Sequence, residues 1–204
     1  MSKPWPVLGA LLLAGCALGP AQRDAPATYD LGAPRSYAAT QPRIHASLLV
    51  HAVTAPAWLD TPAIVYRLNY QDAARQQAYA NSRWAAAPAA LLTQRLRGRL
   101  AADSDGGVMG VGDSARADYT LRVELEDFSQ VFDAADASRA VAVARASLVS
   151  VAKRTLLAQK SFTVERAAAS PDAGGGVRAL ASAGDEMIEA VATWTAASLA
   201  REIK

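Results

Sequence analysis

Two histidines, His45 and His51, are the side chains best suited to hold a metal or move a proton near neutral pH. They lie six positions apart in a stretch, Ile44 to Val53, that reads as a strand. At ~3.3 Å per residue they stand ~20 Å apart on one face, too far to share an ion. Neither has a carboxylate at short ligand spacing, so both read as surface or edge histidines. A catalytic serine needs a base in reach and an oxyanion hole, often on a sharp turn. No Gly-x-Ser-x-Gly is present. Gly107-Val108-Met109-Gly110-Val111-Gly112 superficially resembles a phosphate loop, but no Lys-Ser/Thr follows and it opens no helix. Gly174-Gly175-Gly176 reads as a flexible entry to the last helix. Asp133 and Asp136 fall in a turn, where Asp is common for local reasons. These residues nominate no catalytic set, no metal site and no cofactor, and point away from an enzyme.

Cys16 is the sole cysteine of the 204 residues. It follows Lys3, an apolar run from Val7 to Ala14, and Gly15. A basic start, a short apolar segment and small residues before a break form a secretory signal peptide. The run is too short for a spanning helix, which needs about 20 residues. Leu13-Ala14-Gly15-Cys16 looks like a bacterial lipobox, in which cleavage precedes an acylated cysteine. The expected organisation is therefore a signal peptide over 1–15, a lipidated cysteine and tether over 16–27, and one periplasmic domain over 28–204. Ala17 rather than Asp follows the cysteine, which by enterobacterial sorting rules favours the outer membrane of a Gram-negative cell. Removing residues 1–15 leaves a near-neutral chain of 189 residues with a formal charge of +1. That balance offers nothing to nucleic acid, and with no second cysteine the core alone must hold the fold.

The elements that would position any site are strands, a helix, strands and a helix. Thr28 to Leu31 could be a short strand, followed by the strand from Ile44. Ile64, Tyr66, Leu68 and Tyr70 alternate with Val65, Arg67 and Asn69, and Gln77 to Trp84 returns as a hairpin partner. Pro88 suits a first helical turn, and Leu91, Leu92, Leu96 and Leu100 share one face of a helix reaching Ala102. Arg95, Arg97 and Arg99 are expected to reach water. Tyr119, Leu121, Val123 and Leu125 alternate with polar residues until Phe128, Val131 and Phe132 break the register, as a bulge would. A strand from Ala140 to Val151, a turn at Lys153-Arg154 and a return from Leu156 to Val164 complete a meander. Val177 to Ile203 forms a second amphipathic helix. The simplest packing is an α+β two-layer sandwich: a mainly antiparallel sheet with two amphipathic helices on one face.

Aromatics concentrate between Ala55 and Trp84. Trp58, Leu59, Tyr66, Arg67, Tyr79, Arg83 and Trp84 are the candidate partner or ligand contacts, with aromatic core packing as the competing reading. Ala55-Pro56-Ala57-Trp58-Leu59-Asp60, Ile64-Val65-Tyr66-Arg67, Tyr79-Ala80-Asn81-Ser82-Arg83-Trp84, Pro88 to Leu92 and the early Tyr29-Asp30-Leu31 together resemble the ABC-type transport auxiliary lipoproteins. The resemblance implies a non-enzymatic, periplasm-facing lipoprotein working with an inner-membrane ABC transporter and a substrate-binding protein of the mammalian-cell-entry type, in moving phospholipids or other apolar molecules. It supplies no catalytic residues. The alternative is a structural or assembly lipoprotein that binds an outer-membrane barrel or the cell wall. Self-association to cover exposed strand edges is open on either reading.

Overall fold

The longest strand sets the frame. In the computed structural model, which describes residues 25–33, 37–39, 43–113 and 115–202, β6 runs Tyr119–Ala134. Its partner β7 (Ala137–Ser150) returns antiparallel, and β8 (Thr155–Ala167) continues the meander. A register shift between Leu125 and Asp127 turns the strand by one residue. Leu121 and Leu125 before the bulge, and Phe128 and Phe132 after it, are therefore all buried. On β7 the buried positions include Ala140, Ala142, Ala144 and Ala146, each fully inaccessible. Side chains this small let a helix approach the strand closely. That helix is α2 (Ala173–Glu202), which packs on β7 and β8 and against α1 (Pro88–Asp103).

The expected mainly antiparallel two-layer sandwich requires correction: the fold is α+β with two helices, but its eight strands form a mixed, curled sheet. β1 (Ala27–Tyr29) runs parallel to β4 (Gln76–Trp84), and β2 (Leu48–Val50) parallel to both β5 (Val108–Met109) and β6. β3 (Ala63–Leu68) is also parallel to β6, while β3 and β4 make the expected antiparallel hairpin. The cause lies in the length of β6. Its first residues pair with β2 and residues 130–132 pair with β3, so both short strands follow one edge in the same direction. The turn in which the amides of Leu59 and Asp60 donate to the Pro56 carbonyl interrupts that run. The return to β6 passes through β4, α1 and β5, the long crossover that parallel pairing requires.

Ile44, Leu48 and Val50 are buried together, but ladder pairing covers only Leu48–Val50, with single bridges at Ile44 and Thr54. α2 begins four residues before the expected start and takes in all three glycines. A β-carbon on Gly175 would lie 2.1 Å from the Ser170 carbonyl oxygen, and one on Gly176 would lie 2.0 Å from Gln130 Oε1. Close approach, rather than flexibility, explains the run. Asp172 caps the helix by accepting from the Gly175 amide at 2.7 Å. That bond, with the Ser170 hydroxyl, holds the Asp172 carboxyl below its usual range. The signal-like segment and Cys16 lie outside the described residues.

Candidate functional site

The β3–β4 hairpin carries most of the candidate residues, and alternation divides them between two faces. Tyr66 packs on Tyr79 with ring centroids 4.7 Å apart and meets Phe132 edge-on at 5.9 Å. The Tyr79 hydroxyl donates to Gln130 Oε1 at 2.9 Å, and Gln130 Nε2 donates to the Ser138 hydroxyl at 2.8 Å. Gln130 is fully buried beneath Gly176, so this chain ties β4, β6 and β7 to the first turn of α2. Burial, helped by Tyr66 and Asp172, pushes the Tyr79 phenol up to about 12. It is a neutral hydrogen-bond donor near pH 7, not a proton carrier.

The raised phenol has a stability consequence. An unfolded tyrosine ionises near pH 10, while Tyr79 in the fold resists until about 12. Its contribution is complete below about pH 10 and is lost as pH rises through that window. Denaturant melts at increasing alkaline pH should show a fall that flattens in Tyr79→Phe. An unchanged pH profile in the variant would show that Tyr79 is not the group responsible.

Arg67 points to the other face, where its guanidinium lies 5.4 Å from the Trp58 ring centroid. Arg67 also reaches Asp127 at 3.8 Å, and Trp58 is half-buried. Leu59 and Trp84 belong to the core, each 1% exposed, with Trp84 5.8 Å from Phe128. They support the hairpin from beneath and offer no contact surface. Arg83 is exposed, and its Nε donates to the Thr28 hydroxyl of β1 at 3.3 Å. The structure thus pairs Tyr66 with Tyr79 and Trp58 with Arg67, and separates these pairs by the thickness of the sheet.

Sequence reasoning missed a second cluster. Arg95 and Arg99, expected in water, are 10% and 2% exposed. Arg95 Nη1 donates to Asp185 of α2 at 2.8 Å, and its Nη2 donates to the carbonyls of Leu31, Gly32 (2.7 Å) and Ala33 (3.3 Å). One side chain therefore joins both helices and straps the segment after β1 onto them. Arg99 bridges Asp103 on its own helix at 2.6 Å and Glu189 on α2 at 2.7 Å. The available signal was the matched spacing: Arg95 and Arg99 at i, i+4 answer Asp185 and Glu189 at i, i+4. A groove of about 430 Å³ lies on one side of the strap, lined by Tyr37, Leu91, Gln94 and Gly98 among others. Asp30, whose carboxylate accepts from the Gly32 amide at 2.7 Å, shapes the bend. Gly32 takes φ +83 there, a conformation that favours glycine.

Among the described residues no three His, Cys, Asp or Glu side chains gather as a metal ion would need. His45 is exposed with Nδ1 3.3 Å from Asp105, and half-buried His51 lies elsewhere on the sheet. Also among the described residues, no helix is long and apolar enough to cross a membrane.

A family model described as the ABC-type transport auxiliary lipoprotein component matches residues 29–192. The chain belongs to this family. The match starts at Tyr29, so Tyr29-Asp30-Leu31 begins both the matched region and the strap that Arg95 holds. The crystal structure of a Xanthomonas campestris protein of the DUF330 family is similar over 86% of this chain and 98% of its own, at 19% identity and TM-score 0.73. An uncharacterised protein is similar over 89% of this chain and 100% of its own, at 19% identity and TM-score 0.63. A Chlamydia trachomatis protein matches over 76% and 98% respectively, at 8% identity and TM-score 0.52. At these identities the likeness shows the shared fold alone. No curated protein matches the chain. The family is an auxiliary transport component rather than an enzyme class.

Proposed function

We propose that this chain is the lipid-anchored accessory component of an ABC-type envelope transport system. In this reading residues 1–15 are removed, Cys16 is acylated, and 28–204 form one domain in the periplasm, held at the outer membrane. Its partners are an inner-membrane ABC transporter and a substrate-binding protein of the mammalian-cell-entry type, and the cargo is a phospholipid or another apolar molecule. The family match over residues 29–192 carries the reading. The place for partner contact is the outer side of the hairpin, where Trp58 and Arg67 lie against each other and remain partly accessible. Tyr66 and Tyr79 on the opposite face, and Arg83 at the β1 edge, are secondary candidates.

Cross-linked recovery of the acylated chain from membranes tests this. Co-purification of a permease or a cell-entry-type protein supports the reading. Recovery of an outer-membrane barrel without any transporter component would replace it with an assembly role. Cys16→Ser should release the chain into the soluble periplasm, and persistent membrane retention would remove the anchor from the argument. Trp58→Ala removes one half-buried ring and a cation–π contact that contributes roughly 0.5–1 kcal/mol. Because Trp58 packs at the edge of the core, the variant should melt a few degrees earlier but cooperatively, while recovery of the partner falls. A collapsed melting transition would instead make Trp58 a core residue.

A further inference from the structure

The face of the sheet opposite the helices carries at one end a row of four apolar side chains around a buried threonine. The ladder register aligns Met109 of β5, Leu49 of β2, Thr120 of β6, Val149 of β7 and Leu156 of β8. Five strands at ~4.8 Å spacing make this row ~19 Å across. Leu156 is 56% exposed, and Val151, beside it in the β7–β8 turn, is 47% exposed. Next along the strands, His51, Arg122, Ser147 and Gln159 form a polar row over a shallow groove of about 640 Å³. Arg145 in that groove is held by Glu124 and Glu126, and Lys153 in the turn is held by Glu202. Arg122 and Arg154 are exposed, and among the described residues no carboxylate pairs with either.

Aliphatic side chains bordered by unpaired guanidinium groups suit a boundary at which hydrocarbon gives way to negative charge. We propose that the row from Met109 to Leu156, with Arg122 and Arg154, docks the domain on the surface of an anionic phospholipid bilayer. The aliphatic row rests at the acyl boundary and the two arginines meet phosphate groups. This contact is additional to the lipid on Cys16 and stands whether or not the transport reading holds.

Co-sedimentation of residues 16–204 carrying Cys16→Ser with vesicles tests it without interference from an acyl anchor or from the apolar run Val7 to Ala14. Binding is expected to vesicles containing phosphatidylglycerol, to weaken as salt rises, and to be at least about tenfold weaker on pure phosphatidylcholine. Each cation near such a surface contributes about fivefold, so Arg122→Gln with Arg154→Gln should weaken binding about 25-fold. Leu156→Ser should weaken it too, and Val151→Ser serves if Leu156→Ser melts early. Equal binding to both vesicle types, no binding to either, or undiminished binding by the arginine variants would overturn the proposal.

Discussion

Asp185→Ala should destabilise the domain by about 3–5 kcal/mol, the range for stripping one partner from a buried ion pair. Asp185 and Arg95 are 8% and 10% exposed, so solvent can replace the lost partner only in part. The loss in melting temperature should be about 10 °C for a chain of this length. The effect belongs to the orphaned charge rather than to the bond, and this gives the prediction a sharper form. Replacing both residues with Leu removes the orphan and should recover much of the stability lost in Asp185→Ala. Arg95→Leu differs from Asp185→Ala in a second way, because it also frees the carbonyls of Leu31, Gly32 and Ala33. Hydrogen exchange should therefore rise at residues 28–33 in Arg95→Leu and much less in Asp185→Ala. Glu189→Ala provides the contrast. Glu189 is 45% exposed and Arg99 retains Asp103, so that loss should stay near 1 kcal/mol. Equal losses for Asp185→Ala and Glu189→Ala would show that burial does not set these costs.

The same arginines show where reading the sequence stops. Leu92, Leu96 and Leu100 marked the buried face of α1 correctly. Arg95 and Arg99 adjoin that face at helical spacing, but a charged side chain reads as solvated unless its partner is known. Asp103 lies one turn on from Arg99, but the partners that tie α1 to α2, Asp185 and Glu189, each lie 90 residues away. The strands divide in the same manner. Alternation revealed β3 and β6, and the loss of alternation at Phe128 corresponds to the register shift after Leu125. Alternation does not say which strand a neighbour will be or in which direction it runs. The parallel pairings of β2 and β3 with β6 were therefore invisible, and the sheet was expected to be mainly antiparallel. At the hairpin, the aromatic composition was legible but the division between faces was not. Tyr66 and Arg67 are adjacent in sequence and so must part company in a strand. Trp84 became core because the end of β4 packs on Phe128 of β6, a long-range contact with no local signature, and Leu59 joins the same core cluster.

Gly176→Ala sets local propensity against tertiary packing. Inside a helix the change should stabilise by about 1 kcal/mol, since alanine is the better helix former. Here the new methyl would lie 2.0 Å from Gln130 Oε1, and 2.5 Å from the carbon that bears it. Neither atom can stay. If α2 retreats, the contacts of its first turn on the sheet loosen, and overpacking of this kind costs about 1–3 kcal/mol. If the Gln130 amide turns away, the Tyr79 hydroxyl and the Ser138 hydroxyl lose their shared partner in a buried site. An unsatisfied buried polar group costs about 1–3 kcal/mol. Either path outweighs the propensity gain, so a net loss of about 2 kcal/mol is expected in denaturant melts. Gln130→Ala distinguishes packing from backbone effects. Alone it should be destabilising, because it leaves Tyr79 without an acceptor. Combined with Gly176→Ala, it opens the space the methyl needs, and the double variant should lose clearly less than the sum of the two single losses. Strict additivity would mean that the glycine is required by the helix start itself. In that case Gly175, whose β-carbon would meet backbone first, the Ser170 carbonyl oxygen at 2.1 Å, would be the model for both positions.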